Sequence, residues 1–197
     1  EKSGADEHFL GLQSPTDDFP YYNGKPVGFS GAQWLLLMLG VLAGFLVLIA
    51  PLPMFAGNIG QFIPAILFFA IPLAVLSWVT PHYWKELFRK VTGRDIKWMI
   101  LFALLNIVVT MVIGLAVSQS LGTHSNPAFA AMATQTPVEL LLFFLKTLPQ
   151  LLGEELLTIL PVLAMMTFLI SHLHWSRKRA IVGAWLLVAL LFGAAHL

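Results

Sequence analysis

The chain has 197 residues, of which 58% are hydrophobic and 11% charged, and a mean hydropathy of +0.82. Soluble domains carry about 25% charged residues, so the composition excludes an ordinary soluble core and reads as an all-α, polytopic transmembrane helix bundle. A net charge of +1 and short basic clusters beside apolar spans make no nucleic-acid surface. The absence of cysteine excludes disulfides, thiolate metal ligands and a cysteine nucleophile.

Residues 1–33 hold five acidic and two basic side chains among turn formers such as Pro15, Pro20, Gly24 and Pro26. They read as a polar tail without a core of its own, and no signal peptide is read in them. Residues 34–197 read as the transmembrane domain. Its first span, 34–52, has about the ~20 residues that a hydrocarbon layer of ~30 Å requires. An uncharged turn with Pro53, Gly57, Asn58 and Gly60 leads to a second span, 62–79, which contains Pro64 and Pro72. The third span is 98–117, and a polar loop without basic residues fills 118–137.

The stretch 138–173 is either one long bent helix or an interfacial helix (138–148) followed by a span (150–173). A final span occupies 180–197. Lys and Arg concentrate in 81–97 and 171–180, which the positive-inside rule assigns to the cytoplasm; 53–61 and 118–137 then lie outside. That assignment closes if 138–173 crosses once, giving five spans with the amino terminus inside. Because residue 197 is still in an apolar run, the C-terminal end of the bundle is expected to be incomplete.

Within this apolar half, Glu154 and Glu155 stand side by side in LLGEELL (151–157), and His196 ends LFGAAHL (191–197). An acidic residue at a membrane centre costs an estimated ~2.5–3.5 kcal/mol on the insertion scale, so the pair marks a cavity or a partner. Glu154 lies 21 residues before position 175, the middle of the last turn, and His196 lies 21 after it. At about 1.5 Å per residue, an antiparallel hairpin brings carboxylate and imidazole to the same depth. Desolvation makes a carboxylate more basic, as a general base near neutrality requires.

Each feature also has a plainer reading. The acids suit a helix start at the membrane surface, where the dipole favours them. The small residues before His196 suit close helix packing. His172 and His174 flank the turn as surface residues. No H-E-x-x-H occurs, and a catalytic zinc site needs three protein ligands, for which only Glu154, Glu155 and His196 are in reach. No cofactor is expected, and a divalent metal such as zinc stays open.

GEELLTI (153–159), followed by FGAAH (192–196) with His196 42 residues after Glu154, resembles the CPBP family of intramembrane proteases, also called the Abi or CAAX-protease family. Its motifs are E-E-x-x-x-R and F-x-x-x-H, each on a transmembrane helix. Glu154 and Glu155 match the acidic pair; Phe192 and His196 match the second motif. The family arginine falls on Ile159, and a third motif, His followed four residues later by Asn or Asp, lies on a later helix in the family. The resemblance covers about 140–197.

It implies an intramembrane endopeptidase of a bacterial cell membrane. Glu154, helped by His196, would activate water against a peptide bond of a membrane-associated peptide or protein substrate, with Glu155 orienting the site. Family substrates include prenylated CAAX proteins, peptide pheromones and bacteriocin precursors. The alternative is a non-catalytic protein of the same fold, a bacteriocin self-immunity factor or a scaffold for a membrane protein partner, which Ile159 favours. A proton-coupled transporter subunit is a third reading, but such proteins normally carry internal repeats, and none is visible.

Overall fold

The computed structural model describes residues 18–88, 90–121 and 132–194, and every regular element among them is helical. Four helices are long and apolar enough to cross a membrane, so the chain is an all-α membrane protein. The described residues form two compact units, one within 18–87 and 141–194 and the other within 88–140.

α1 (Gly31–Ile49) begins three residues before the apolar run because Ser30 and Gln33 form a capping box. The Ser30 hydroxyl accepts from the Gln33 N–H at 3.3 Å, and the Gln33 amide oxygen accepts from the Ser30 N–H at 2.8 Å. It ends at Ile49 because Pro51 drives Ala50 into extended backbone (φ −66°, ψ 124°). A turn through Pro53–Phe55 and Gly57–Gly60 leads to α2 (Phe62–Val79).

Pro72 lies inside α2 and cannot donate to the carbonyl four residues back. That carbonyl, of Phe68, lies against α1 at Gly44, where a Cβ would stand 2.7 Å from its oxygen. Apolar side chains prefer lipid and protein about equally in a bilayer, so close backbone approach at small residues matters more there.

α4 (Pro137–Ser171) is continuous over 35 residues and runs through Pro149 and Pro161. Of the two readings open for 138–173, the single long helix is the one found. Thr136 starts it with a second capping box, donating its N–H to Glu139 at 2.8 Å and accepting from the Glu139 N–H at 3.4 Å. Gly153 lies on the Phe68 ring, so α1, α2 and α4 meet around one buried phenylalanine. Toward the other end, Trp34, Leu37 and Val41 pack with Leu76 and with Leu156, Leu160 and Leu163. α4 therefore runs with α2 and against α1.

The chain leaves α4 through His174 in the left-handed region (φ 52°), and the Trp175 N–H closes the turn on the Leu169 carbonyl at 3.1 Å. α5 (Arg177–Ala194) returns along α4 through a cluster of Val162, Met166 and Leu169 with Ala180, Ile181, Ala184 and Val188. Three basic residues, Arg177 to Arg179, open this helix, which begins three residues before the span read from hydropathy.

The polar segment before α1 belongs to this packing. Tyr21 and Tyr22 are buried, one in the α1–α2–α4 cluster and the other in the α4–α5 cluster. Residues 18–30 thus have no core of their own but complete the helices' core.

The second unit contains α3 (Gly93–Leu121), which extends beyond the 98–117 span at both ends. Its start is a third capping box: the Thr92 N–H donates to Asp95 at 2.8 Å, and the Thr92 hydroxyl accepts from the Asp95 N–H at 3.4 Å.

Candidate functional site

Glu154 is fixed by its neighbours on α4. Gly153 presses that face of the helix onto Phe68, with no room for a Cβ (2.3 Å to the ring). One residue on, about 100° around the helix, Glu154 is half-buried and accepts a hydrogen bond from the Gln150 amide at 3.1 Å. Glu155 turns a further step away and is exposed, with no side-chain partner seen among the described residues. The adjacent acids thus have different environments: one braced by an amide, the other open.

Glu154 belongs to a polar row at four-residue spacing: Lys146, Gln150, Glu154 and Thr158. The Lys146 ammonium donates to the Gln61 side chain at 2.7 Å and lies 5.2 Å from the Phe143 ring centre. The Thr158 hydroxyl donates to the carbonyls of Glu154 (3.2 Å) and Glu155 (3.0 Å). Such a row gives an apolar helix one hydrophilic edge, along which water or a peptide amide can be held. The four-residue spacing that puts Lys146 and Gln150 on the face of Glu154 is itself a sequence signal, since residues at i and i+4 are neighbours on a helix.

His196 lies outside the described residues, and so does its expected meeting with Glu154. The described part of the hairpin is packed. Val162, Met166 and Leu169 of α4 share one buried cluster with Ala180, Ile181, Ala184 and Val188 of α5. Ile159 packs against the apolar cluster of α1 and α2, so position 159 supplies no cation for Glu155. His172 and His174 are exposed, with His172 stacked on Phe168 at 5.1 Å. Among the described residues no three His, Asp or Glu side chains group as metal ligands.

A second polar cluster, at the turn between α4 and α5, was not anticipated. Arg177, 9% exposed, donates to one Asp18 oxygen through Nε (3.2 Å) and Nη2 (2.8 Å), and through Nε to the Tyr22 hydroxyl (3.0 Å). Tyr22 donates to the other Asp18 oxygen at 2.9 Å, and Asn23 adds a bond of 3.1 Å. Burial, reinforced by the Asp18 charge, pushes the Tyr22 phenol up to about 12. Tyr21 donates to the Tyr83 carbonyl at 2.7 Å and is likewise pushed up to about 12, by burial and then by the Glu86 charge. A contact between residues 159 apart has no local sequence signature.

No family model, curated protein or solved structure matches the chain.

Proposed function

We propose that the chain is an intramembrane endopeptidase in which Glu154 is the general base. The observation that carries this reading is a half-buried carboxylate, braced by Gln150, on the hydrophilic edge of a helix apolar enough to span a membrane. The shared buried cluster of α4 and α5 supports it further, because an approach of Glu154 to His196 requires those two helices to pack as a hairpin.

In this mechanism Glu154 accepts a proton from a water molecule as its oxygen adds to the substrate carbonyl carbon. The proton passes to the amine as the C–N bond breaks, with His196 assisting the transfer. Base assistance of this kind contributes about 10²–10⁴-fold. The substrate is a membrane-associated peptide or protein, presented along the Lys146–Thr158 row.

One observation favours the non-catalytic reading, a self-immunity factor or scaffold: Ile159 packs against an apolar cluster, and exposed Glu155 has no cation beside it among the described residues. The test is cleavage of a membrane-anchored peptide by Glu154→Gln, Glu155→Gln and His196→Ala proteins, beside a bacteriocin-protection growth assay. Loss of cleavage in Glu154→Gln with folding intact is expected. Protection that survives Glu154→Gln, without cleavage by the unsubstituted protein, would establish the non-catalytic reading instead.

A further inference from the structure

We infer that residues 18–30 form a clasp that sets the register of the α4–α5 hairpin and so acts as a positioning element for Glu154. The seam between the two helices consists of Ala, Val, Leu, Ile and Met side chains. Apolar packing is non-directional, and in a bilayer such side chains have lipid as an equally apolar alternative. Close packing of Gly183 against Trp175 and Leu169 limits sliding at the turn, and directional polar contacts that add to this constraint lie there too.

Arg177 is the first residue of α5, followed by Lys178 and Arg179, and the first turn of that helix contains no acid. Positive charge there opposes the helix dipole, which favours an anion at an N-terminus. Asp18 supplies that anion from 159 residues away, with both its oxygens bonded. Tyr22 binds the same guanidinium through its hydroxyl while its ring joins the seam, so polar tie and apolar contact come from one side chain.

The other prong is Tyr21. With φ at 70°, it points its ring into the α1–α2–α4 cluster, stacks on Phe29 at 4.8 Å and bonds to the Tyr83 carbonyl beyond the end of α2. Adjacent tyrosines therefore tie the end of the α1–α2 pair to the start of α5. Since Gly153 seats α4 on Phe68 of that same pair, a fixed α5 is a fixed partner for the Glu154 edge. The link to catalysis rests on the endopeptidase reading; the link to hairpin register does not.

The test uses the full chain in lipid nanodiscs, with spin labels on cysteines replacing Leu151 and Leu190, both exposed, in a chain with no other cysteine. The unsubstituted clasp should give one narrow inter-label distance. Asp18→Ala and Tyr22→Phe should each add a displaced population, and Asp18→Arg combined with Arg177→Asp should restore the narrow one. A narrow, undisplaced distribution in both single variants overturns the clasp. In peptide cleavage, Tyr22→Phe should lower kcat with KM unchanged, by up to the roughly 10²-fold that a 1 Å misplacement causes, and the exchanged Asp18–Arg177 pair should recover it. Unchanged kcat per folded molecule overturns the positioning role. A displaced hairpin in a protein whose unsubstituted form cleaves nothing upholds the clasp and removes the endopeptidase reading.

Discussion

Replacing Gly153 with alanine tests the three-helix junction that holds Glu154 in place. The added Cβ would stand 2.3 Å from Phe68 Cδ1 and 2.6 Å from Cγ, far inside van der Waals contact, so the ring or the helix must move. The ring has nowhere to go: Phe68 is 1% exposed, and its own backbone carbonyl is pressed against Gly44. Overpacking of this kind costs about 1–3 kcal/mol, while alanine in place of glycine returns up to about 1 kcal/mol of helix propensity. Those opposing terms make the single substitution a poor measure, and a double-mutant cycle separates them. In a Phe68→Ala background the clash is gone and only the propensity gain is left, so Gly153→Ala should stabilise there by up to about 1 kcal/mol. The coupling between the two sites should then fall at about 1–3 kcal/mol. Reversible unfolding in mild detergent, read by steric trapping or tryptophan fluorescence, gives the four stabilities. Equal effects of Gly153→Ala in the two backgrounds would refute the junction and the account of how Glu154 is positioned.

Glu154→Gln is expected to abolish peptide cleavage without loss of the fold, because an amide cannot take the proton of the attacking water; circular dichroism beside a cleavage assay checks both. Glu155→Gln should cost less activity than Glu154→Gln, since Glu155 is exposed and no side-chain partner is seen for it among the described residues. Tyr21 and Tyr22 should ionise near pH 12 rather than near 10. Their folded values are raised, so their contribution is complete below pH 10 and is lost as pH rises from 10 through 12; near-ultraviolet phenolate absorbance against loss of the folded state checks it. Cysteine in place of Ile59 should react with an impermeant thiol reagent from outside, and cysteine in place of Ser176 only after permeabilisation, because the basic loops mark the inner side. The reverse pattern would invert the topology.

The sequence alone determined the class of the molecule and the places where its apolar helices lie, because hydropathy over some twenty residues is a sum that needs no knowledge of neighbours. It also carried more about helix ends than a hydropathy reading extracts. Ser30–Gln33, Thr92–Asp95 and Thr136–Glu139 share one four-residue capping pattern, and each starts its helix ahead of the apolar run, since capping satisfies backbone groups locally. Glu154 stood out for a similar reason: a carboxylate among leucines is anomalous wherever the helix packs. What surrounds it was another matter. That Phe68 seats Gly153, that Ile159 joins an apolar cluster, and that Asp18 and Tyr22 close on Arg177 follow from which helix faces meet. Those meetings join residues far apart in the chain, and their energies come from shape and paired polar groups, which exist only once the helices have been brought together.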